Sequence, residues 1–261
     1  MNYCELAPSL DLAHIVLSYS EFTIGRDAVS PIIHAVIPDG CVSLVYHRNE
    51  GDEVSWLRVV GPRLVSFRTE VKARDIFWSA RLSPAACRSV LGCAPTSLQN
   101  QILPLSQLLP RLVDELSRQL KASNSFAEAI AAYDASFRSL ELKPAEVDEK
   151  VTAAVHFIEA SQGQAKIAEV ATEVGLSVRQ LERRFRAVSG LTPKQFARVR
   201  RVRATALALV EEGQVDWASR AAEMGYADQS HLTREFVTVT GRSPVTFAED
   251  LAKIKHGNLV K

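Results

Sequence analysis

The sequence predicts an α+β protein in which the strands come first and the helices follow. Its first 80 residues contain short runs of alternating apolar and polar residues, often interrupted by glycine and proline. From about residue 84 onwards, apolar residues recur three and four positions apart, which indicates helices. We therefore expect a mainly β N-terminal domain of the barrel or sandwich type followed by helices, and then an all-α C-terminal domain.

Three segments carry the strand prediction. Residues 36–47 contain a turn and then a strand in which Val42, Leu44 and Tyr46 face one way. Residues 56–71 are interpreted as a strand, a Gly-Pro turn and a second strand, and residues 73–82 as a further strand. Several short strands with frequent turns favour a small barrel or sandwich.

The first helical segment carries an apolar stripe between residues 105 and 120, and Pro110 interrupts it early. Such a stripe either packs on its own domain or forms a dimerisation helix, and the sequence leaves both interpretations open. The stripe consists of Leu105, Leu108, Leu109, Leu112, Val113, Leu116 and Leu120.

Positive charge is concentrated in one stretch, although the formal net charge of the chain is only +1. Between Leu176 and Arg203 there are nine basic residues and one acid, Glu182. This density predicts a polyanionic partner such as a phosphate backbone, and the alternative is a solvated basic helix face. The basic residues are Arg179, Arg183, Arg184, Arg186, Lys194, Arg198, Arg200, Arg201 and Arg203.

An internal repeat covers residues 171–193 and 221–244, with an offset of 50 or 51 positions. Each copy predicts a short helix that ends at a glycine, followed by a helix that begins at a capping residue. The caps are Ser177, with Gln180 completing a capping box, and Asp228. The matched pairs are Gly175 with Gly225, Phe185 with Phe236, Gly190 with Gly241, and Pro193 with Pro244.

Each repeat unit therefore has the pattern of a helix-turn-helix, whose second helix enters the DNA major groove. The apolar stripes of these second helices are Leu181, Phe185 and Val188, and Leu232, Phe236 and Val239. Arginine reads guanine, and glutamine reads adenine. The candidate DNA-contacting residues are Ser177, Arg179, Gln180, Arg183, Arg184, Gln229, Ser230, His231, Thr233 and Arg234. For His231, a phosphate contact or a packing role remains open.

A long helix is predicted between the two units, over residues 193–213. Its residues 195–209 span roughly 20 Å, which would set two recognition helices near one DNA turn apart. Arg200 and Arg201 of this helix are further DNA-contact candidates, placed either for phosphates or for acids on neighbouring helices.

Residues 148–250 resemble the AraC/XylS-type DNA-binding domain, a unit of seven helices with two helix-turn-helix motifs. Two positions depart from its pattern, because Leu232 stands where phenylalanine is usual and Val237 where a basic residue is usual. The likeness rests on Gly225, Tyr226, Asp228, Ser230, Arg234, Phe236, Gly241, Ser243 and Pro244. More loosely, the N-terminal part resembles an uncharacterised domain often fused to this unit, on Pro38, Asp39, Gly40, Cys41, Gly61 and Pro62.

The resemblance implies a bacterial, cytoplasmic transcription regulator, more often an activator than a repressor. Its implied partners are double-stranded DNA and RNA polymerase, and its N-terminal domain would bind a small-molecule effector, form a homodimer, or both. We expect no membrane partner and no cofactor. Polar residues 142–149 are the predicted linker. The predicted domains are 1–145 for sensing or dimerisation and 146–250 for DNA binding, with a tail at 251–261.

The alternative is an enzyme, or a methyl-acceptor repair protein, with a DNA-targeting tail. Such a repair protein needs a reactive cysteine with zinc-spaced partners, and Cys4, Cys41, Cys87 and Cys93 show no such spacing. We therefore expect reduced, packed thiols, no catalytic residues and no metal. A metal site formed by His34, Asp39 and His47 is a minor alternative. A third interpretation, an interaction module that does not bind DNA, is disfavoured by the basic stretch.

Overall fold

The computed structural model describes residues 1–28, 31–51, 54–140, 142, 147–211 and 216–255. Within these residues seven strands precede the helices, as predicted, and only the short strand β8 follows the first helix. The strands are β1 (Asn2–Leu6), β2 (Val16–Thr23), β3 (Ile32–Val36), β4 (Ser43–Asn49), β5 (Ser55–Val60), β6 (Phe67–Val71), β7 (Asp75–Leu82) and β8 (Ile102–Pro104).

Ten α-helices lie within the same described ranges, and seven of them follow residue 147, which agrees with the predicted seven-helix C-terminal region. None of the described helices has both the length and the apolar character needed to cross a membrane. The helices are α1 (Cys87–Leu91), α2 (Pro110–Ala122), α3 (Phe126–Arg138), α4 (Glu149–Ala160), α5 (Ile167–Glu173), α6 (Val178–Ser189), α7 (Pro193–Glu211), α8 (Trp217–Glu223), α9 (Gln229–Thr240) and α10 (Pro244–Lys255).

The strands form two antiparallel sheets. Six of them pair in the order β1-β2-β7-β4-β5-β8, and β3 pairs with β6 in a separate two-stranded ribbon. The predicted strand–turn–strand at residues 56–71 therefore exists, but its two strands do not pair with each other. Gly61 explains the difference, because its amide donates to Gln101 O at 2.9 Å and its Cα lies close to the Leu98 carbonyl. The chain is thereby directed away from β5 before β6 begins.

One face of the six-stranded sheet packs against α2 and α3. Tyr19, Tyr46 and Trp78 lie fully buried on this face. Tyr133 of α3 crosses the interface, and its hydroxyl lies 3.0 Å from Trp78 O and 3.2 Å from Leu44 O. The buried hydroxyl thus satisfies sheet carbonyls while its ring adds to the core.

The apolar stripe of residues 105–120 packs on its own domain. Leu105, Leu112, Leu116 and Leu120 are buried in the core cluster. Helix α2 begins at Pro110, where the fixed φ of proline suits the first helical position and its missing N–H costs nothing. Residues 105–107 form a separate 3-10 turn, so Pro110 starts the helix where the sequence pattern suggested an interruption.

The hydrophobic core has two parts. The larger cluster runs from the sheet through α2 and α3 into the C-terminal region, where it includes Leu181, Phe185 and Phe196. The smaller cluster surrounds Phe236 and Leu232. The division at residue 145 stays a prediction, since 143–146 of the expected linker lie outside the described residues. Helix α10 enters the expected tail 251–261, of which 256–261 lie outside the described residues as well.

The other face of the sheet carries a buried ionic network at the end near α7. Arg81 of β7 is 5% exposed and contacts Glu5 and Asp39, with its Nε 2.5 Å from Asp39 Oδ2. Arg203 of α7 donates to Glu5 at 3.1 Å. Burial by itself would raise the pKa of Glu5, but Arg81 and Arg203 lower it to about 2. Arg81 likewise lowers the pKa of the buried Asp39 carboxyl against the effect of burial.

Replacing Glu5 should alter the acid stability of the protein. Because the pKa of Glu5 is about 2 in the folded chain and 4.5 without the fold, its contribution is complete above pH 4.5 and is lost as pH falls towards 2. With discounting for partial exposure, Glu5→Gln should lower the free energy of unfolding at pH 7 by roughly 1–3 kcal/mol and flatten its acid dependence. Urea unfolding from pH 7 to pH 3 measures this.

The matched control is Glu50→Gln, which removes an exposed ion pair with Arg26. Exposed pairs contribute roughly 0–1 kcal/mol, so this variant should follow the wild-type pH profile. A Glu5→Gln profile parallel to that of the wild type would show that the network does not stabilise the ionised Glu5.

Candidate DNA-binding interface

The first helix-turn-helix unit is built from α5 and α6. Gly175 has φ +64° and forms the turn between them, a conformation that glycine adopts without cost. Ser177 precedes α6, and its Oγ accepts from the Gln180 amide at 3.3 Å. In return Gln180 Oε1 accepts from the Ser177 amide at 2.9 Å. The predicted capping box is therefore confirmed, and it occupies both side chains at the start of the helix.

The second unit repeats this arrangement with α8 and α9. Gly225 has φ +70°, and Asp228 caps α9 by accepting from the His231 amide at 2.7 Å. The predicted caps, turn glycines and proline starts are thus found in both units. The two second helices consequently begin and end at equivalent positions of the repeat.

The predicted apolar stripes of α6 and α9 face the protein core. Leu181, Phe185, Leu232 and Phe236 are fully buried, and Val239 is buried beside them. The opposite faces carry long polar side chains. The exposed residues among the candidates are Ser177, Arg179, Gln180, Arg183, Gln229, Ser230 and Arg234, and Thr233 is half-buried.

Three of the exposed candidates on these faces are arginines that are available for a partner. Within the described part of the chain, no acid lies within 4.0 Å of the guanidinium groups of Arg179, Arg183 and Arg234. Arg183 and Arg234 are 51 positions apart, which is the offset of the repeat itself. The two helices therefore present an arginine at the same structural position.

Arg184 has a different environment from its neighbour Arg183. Its guanidinium forms two hydrogen bonds to the Asp148 carboxylate, at 2.8 and 2.9 Å. This pair fastens α6 to the N-terminus of α4. Arg184 thus acts within the protein, and its predicted contact with DNA stays untested.

Arg200 and Arg201 extend from α7 to acids on neighbouring helices, the second of the two roles that the sequence left open. Arg200 bonds Glu159 of α4. Arg201 lies 2.7 Å from Glu235 of α9 and stacks over the Tyr226 ring at 4.6 Å. Arg201 thus connects α7 to the second helix-turn-helix unit, and Arg200 connects it to α4.

His231 also makes contacts within its own unit. Its Nδ1 accepts from the Ala227 amide at 3.3 Å, and its ring packs edge-on against Tyr226 at 5.4 Å. Its Nε2 lies 3.6 Å from Glu235. These contacts favour the packing role among the alternatives that the sequence left open.

The sequence interpretation did not include Arg186 among the site residues. Arg186 is exposed in the last turn of α6, seven residues after Arg179. Since seven residues are close to two helical turns, both arginines lie on the same face. The seven-residue spacing between Arg179 and Arg186 is present in the sequence and could have indicated that Arg186 lies on the same face as Arg179.

The four cysteines differ in their exposure. Cys41 and Cys87 are buried, Cys4 is exposed and Cys93 is half-buried. Burial raises the pKa of the Cys41 thiol well above its ordinary value and that of Cys87 to about 12. Both stay protonated at neutral pH, whereas a methyl acceptor requires a thiolate. Among the described residues, no three His, Cys, Asp or Glu side chains are grouped as a metal site.

Two protein-family models match the chain. Residues 170–250 match a model described as a helix-turn-helix domain, and residues 4–104 match a domain of unknown function (DUF6597). Residues 170–250 thus form a helix-turn-helix domain. The matched region contains both repeats, α7 and part of α10.

Several solved structures are similar to the chain, whereas no curated protein matches it. A transcriptional regulator with an AraC-type DNA-binding domain from Chromobacterium violaceum is 23% identical, with 40% of this chain and 94% of that one covered and a TM-score of 0.37. The DNA-binding domain of AdpA in complex with a target DNA is also 23% identical, covering 42% and 98%, with a TM-score of 0.37. ToxT from Vibrio cholerae O395 is 10% identical over 95% and 98%, with a TM-score of 0.42.

The glycines that end α6 and α9 should differ in their tolerance of a side chain. Gly190 and Gly241 have φ +79° and +74°, so alanine at either position costs roughly 1–2 kcal/mol of backbone strain. At Gly241 a Cβ would meet open space, whereas at Gly190 it would lie 2.9 Å from the Pro95 carbonyl carbon. Gly190→Ala should therefore destabilise the chain by roughly 1–3 kcal/mol more than Gly241→Ala. Thermal unfolding compares the two, and equal losses would show that α6 and Pro95 are not in close contact.

Proposed function

We propose that this chain is a sequence-specific DNA-binding transcription regulator. The observation that carries the proposal is the pair of exposed arginines, Arg183 and Arg234, at the same position of two capped recognition helices. An arginine there can donate two hydrogen bonds to guanine O6 and N7 in the major groove. Two such helices in one chain would read two segments of the same DNA.

The remaining exposed candidates divide by chemistry. Arg179, Gln229, Ser230 and Thr233 lie in the first half of their helices, where side chains reach base edges. Gln180 keeps its amide donors available, although its oxygen belongs to the cap. The exposed cations Arg186 and Lys194 are placed for phosphate oxygens, whereas the Ser177 hydroxyl would have to leave Gln180 Oε1 to contact a phosphate.

Helix α7 sets the distance between the units. Its 19 residues extend over roughly 28 Å, close to the roughly 34 Å that separates successive major-groove segments on one side of the duplex. We propose that one chain contacts two such segments.

Further elements of the proposal come from the family. We propose an activator in the cytoplasm with RNA polymerase as its partner, and transcription in vitro from a selected operator tests the direction of the effect. A homodimer stays a prediction, and its proposed element, the stripe of residues 105–120, is largely covered by the core of the chain.

We also propose that a small-molecule effector binds the N-terminal region, on the face of the sheet opposite α2 and α3. There Phe22, His47, Trp56 and Phe77 form a half-buried aromatic group, with His47 stacked 4.9 Å from Trp56. The Nδ1 atom of His47 is buried without a hydrogen-bond partner, while its Nε2 lies 3.0 Å from Asp75. The half-buried aromatic surface suits a ligand that has a planar apolar part.

Arg183→Ala and Arg234→Ala should each weaken specific DNA binding by roughly 1–3 kcal/mol. Each variant should also relax the base preference in its own half-site, and the two half-sites should differ. The reason is that each side chain would read a base in its own major-groove segment. Selection of bound fragments from random DNA gives the operator, and titration of the operator with the variants gives the affinities.

Arg111→Ala is the control, because it removes one exposed arginine from α2. It should leave both affinity and base preference unchanged. If neither recognition-helix variant altered binding, direct readout by these helices would be ruled out.

The effector proposal predicts that a bacterial metabolite extract raises the Tm of the full chain, since a ligand that binds only the folded state stabilises it. Trp56→Ala should remove this shift, because the indole is part of the proposed site. Trp217→Ala, in α8, is the matched control and should keep it. An equal shift in Trp56→Ala would place the ligand elsewhere.

A further inference from the structure

The two recognition helices belong to separate hydrophobic clusters. Leu181 and Phe185 of α6 are part of the large cluster that includes the N-terminal sheet. Leu232 and Phe236 of α9 belong to the small one. Among the described residues, no shared core therefore sets the angle and distance between the two helices. The angle and distance between α6 and α9 therefore depend on α7 and on any further element that contacts both units.

The N-terminal region contacts the end of the second recognition helix. The Ser66 amide donates to Val239 O at 2.7 Å, and the Ser66 hydroxyl donates to Thr240 O at 2.8 Å. The last carbonyls of a helix have no partner within the helix, so Ser66 satisfies two groups that would otherwise need water. Ile37, the residue directly after β3 of the ribbon, packs against the small cluster.

The N-terminal region also contacts the end of the first recognition helix and the helix between the units. Gly190, at the end of α6, packs against the backbone of Pro95. On α7, Arg203 donates to Glu5 at 3.1 Å and to the Tyr3 hydroxyl at 2.8 Å. The side chain of Arg203 is only 12% exposed, so this contact is largely shielded from water.

We propose that the N-terminal region braces the two helix-turn-helix units and thereby determines which half-site spacing the protein accepts. Ser66 and Arg203 are the positioning residues of this brace. One base pair more or less moves a half-site by roughly 3.4 Å and rotates it by roughly 35°. To bind a half-site displaced in this way, the protein would have to break the bonds between Ser66 and the end of α9 and the bond between Arg203 of α7 and Glu5. The inference rests on the proposed function, since it concerns the same DNA surface.

The test measures how the affinity for the operator changes with the spacing between its half-sites. Full-length protein is titrated with its selected operator and with operators in which one base pair is added or removed between the half-sites. The wild type should lose at least about tenfold in affinity for the altered operators. The double variant Ser66→Ala/Arg203→Ala removes the Ser66 hydroxyl bond and the Arg203 bonds and keeps the backbone bond from the Ser66 amide to Val239 O. It should reduce this loss of affinity to about threefold or less, because the units can then reorient more easily.

The control pair is Ser139→Ala/Arg118→Ala. It also removes a hydroxyl bonded to a carbonyl and an arginine–glutamate pair, but both lie within α2, α3 and the residue after α3. It should keep the wild-type penalty. The conservative pair Ser66→Thr/Arg203→Lys retains both donors and should restore the penalty, which separates loss of the brace from general loss of fold.

The outcomes are distinguishable. Absence of DNA binding by the wild type would overturn the proposed function itself. A wild type that binds but tolerates all spacings, or a Ser66→Ala/Arg203→Ala variant that keeps the full penalty, would overturn the brace and leave DNA recognition intact.

Discussion

Three arginines of α7 connect the parts of the molecule. Arg200 bonds Glu159 of α4, Arg201 bonds Glu235 of α9, and Arg203 bonds Glu5 of β1. Successive helical residues differ by about 100° in direction, so nearby side chains on one helix reach different elements. The pairs of Arg200 and Arg201 are largely buried, and removal of one partner from a buried pair typically costs about 3–5 kcal/mol, whereas Glu5 in the third pair is partly exposed. Helix α4, the second unit and the N-terminal sheet are thus all fastened to one helix.

Because of these ion pairs, only part of the basic stretch between residues 176 and 203 is available to a polyanion. Four of its nine basic side chains, Arg184, Arg200, Arg201 and Arg203, are paired with acids of the same chain. Much of the charge that suggested a polyanion therefore holds the protein together. The DNA surface retains a smaller set of cations, and the salt dependence of binding should reflect that smaller number of phosphate contacts.

The local structure was predictable from the sequence, whereas the long-range partners were not. Caps, turn glycines and apolar stripes are set within a few residues, so Ser177, Gly175 and Phe185 were interpreted correctly. The pairing of Arg184 with Asp148 and the separation of β5 from β6 depend on residues 36 or more positions away. Helical spacing did contain part of the answer, because Arg184 is adjacent to the buried Phe185 and close to Leu181, while Arg183 points away.

The β3–β6 ribbon gives the N-terminal region unequal effects on the two units. His34 of the ribbon stacks on Phe22 of the aromatic group at 4.6 Å, and Ser66, one residue before β6, bonds the end of α9. The first unit instead shares its core with the six-stranded sheet. A ligand that displaced the aromatic group would therefore move the ribbon, and with it the second unit, more easily than the first. The proposed effector would, in this geometry, act on the second half-site and on the spacing, while the first half-site would anchor the protein.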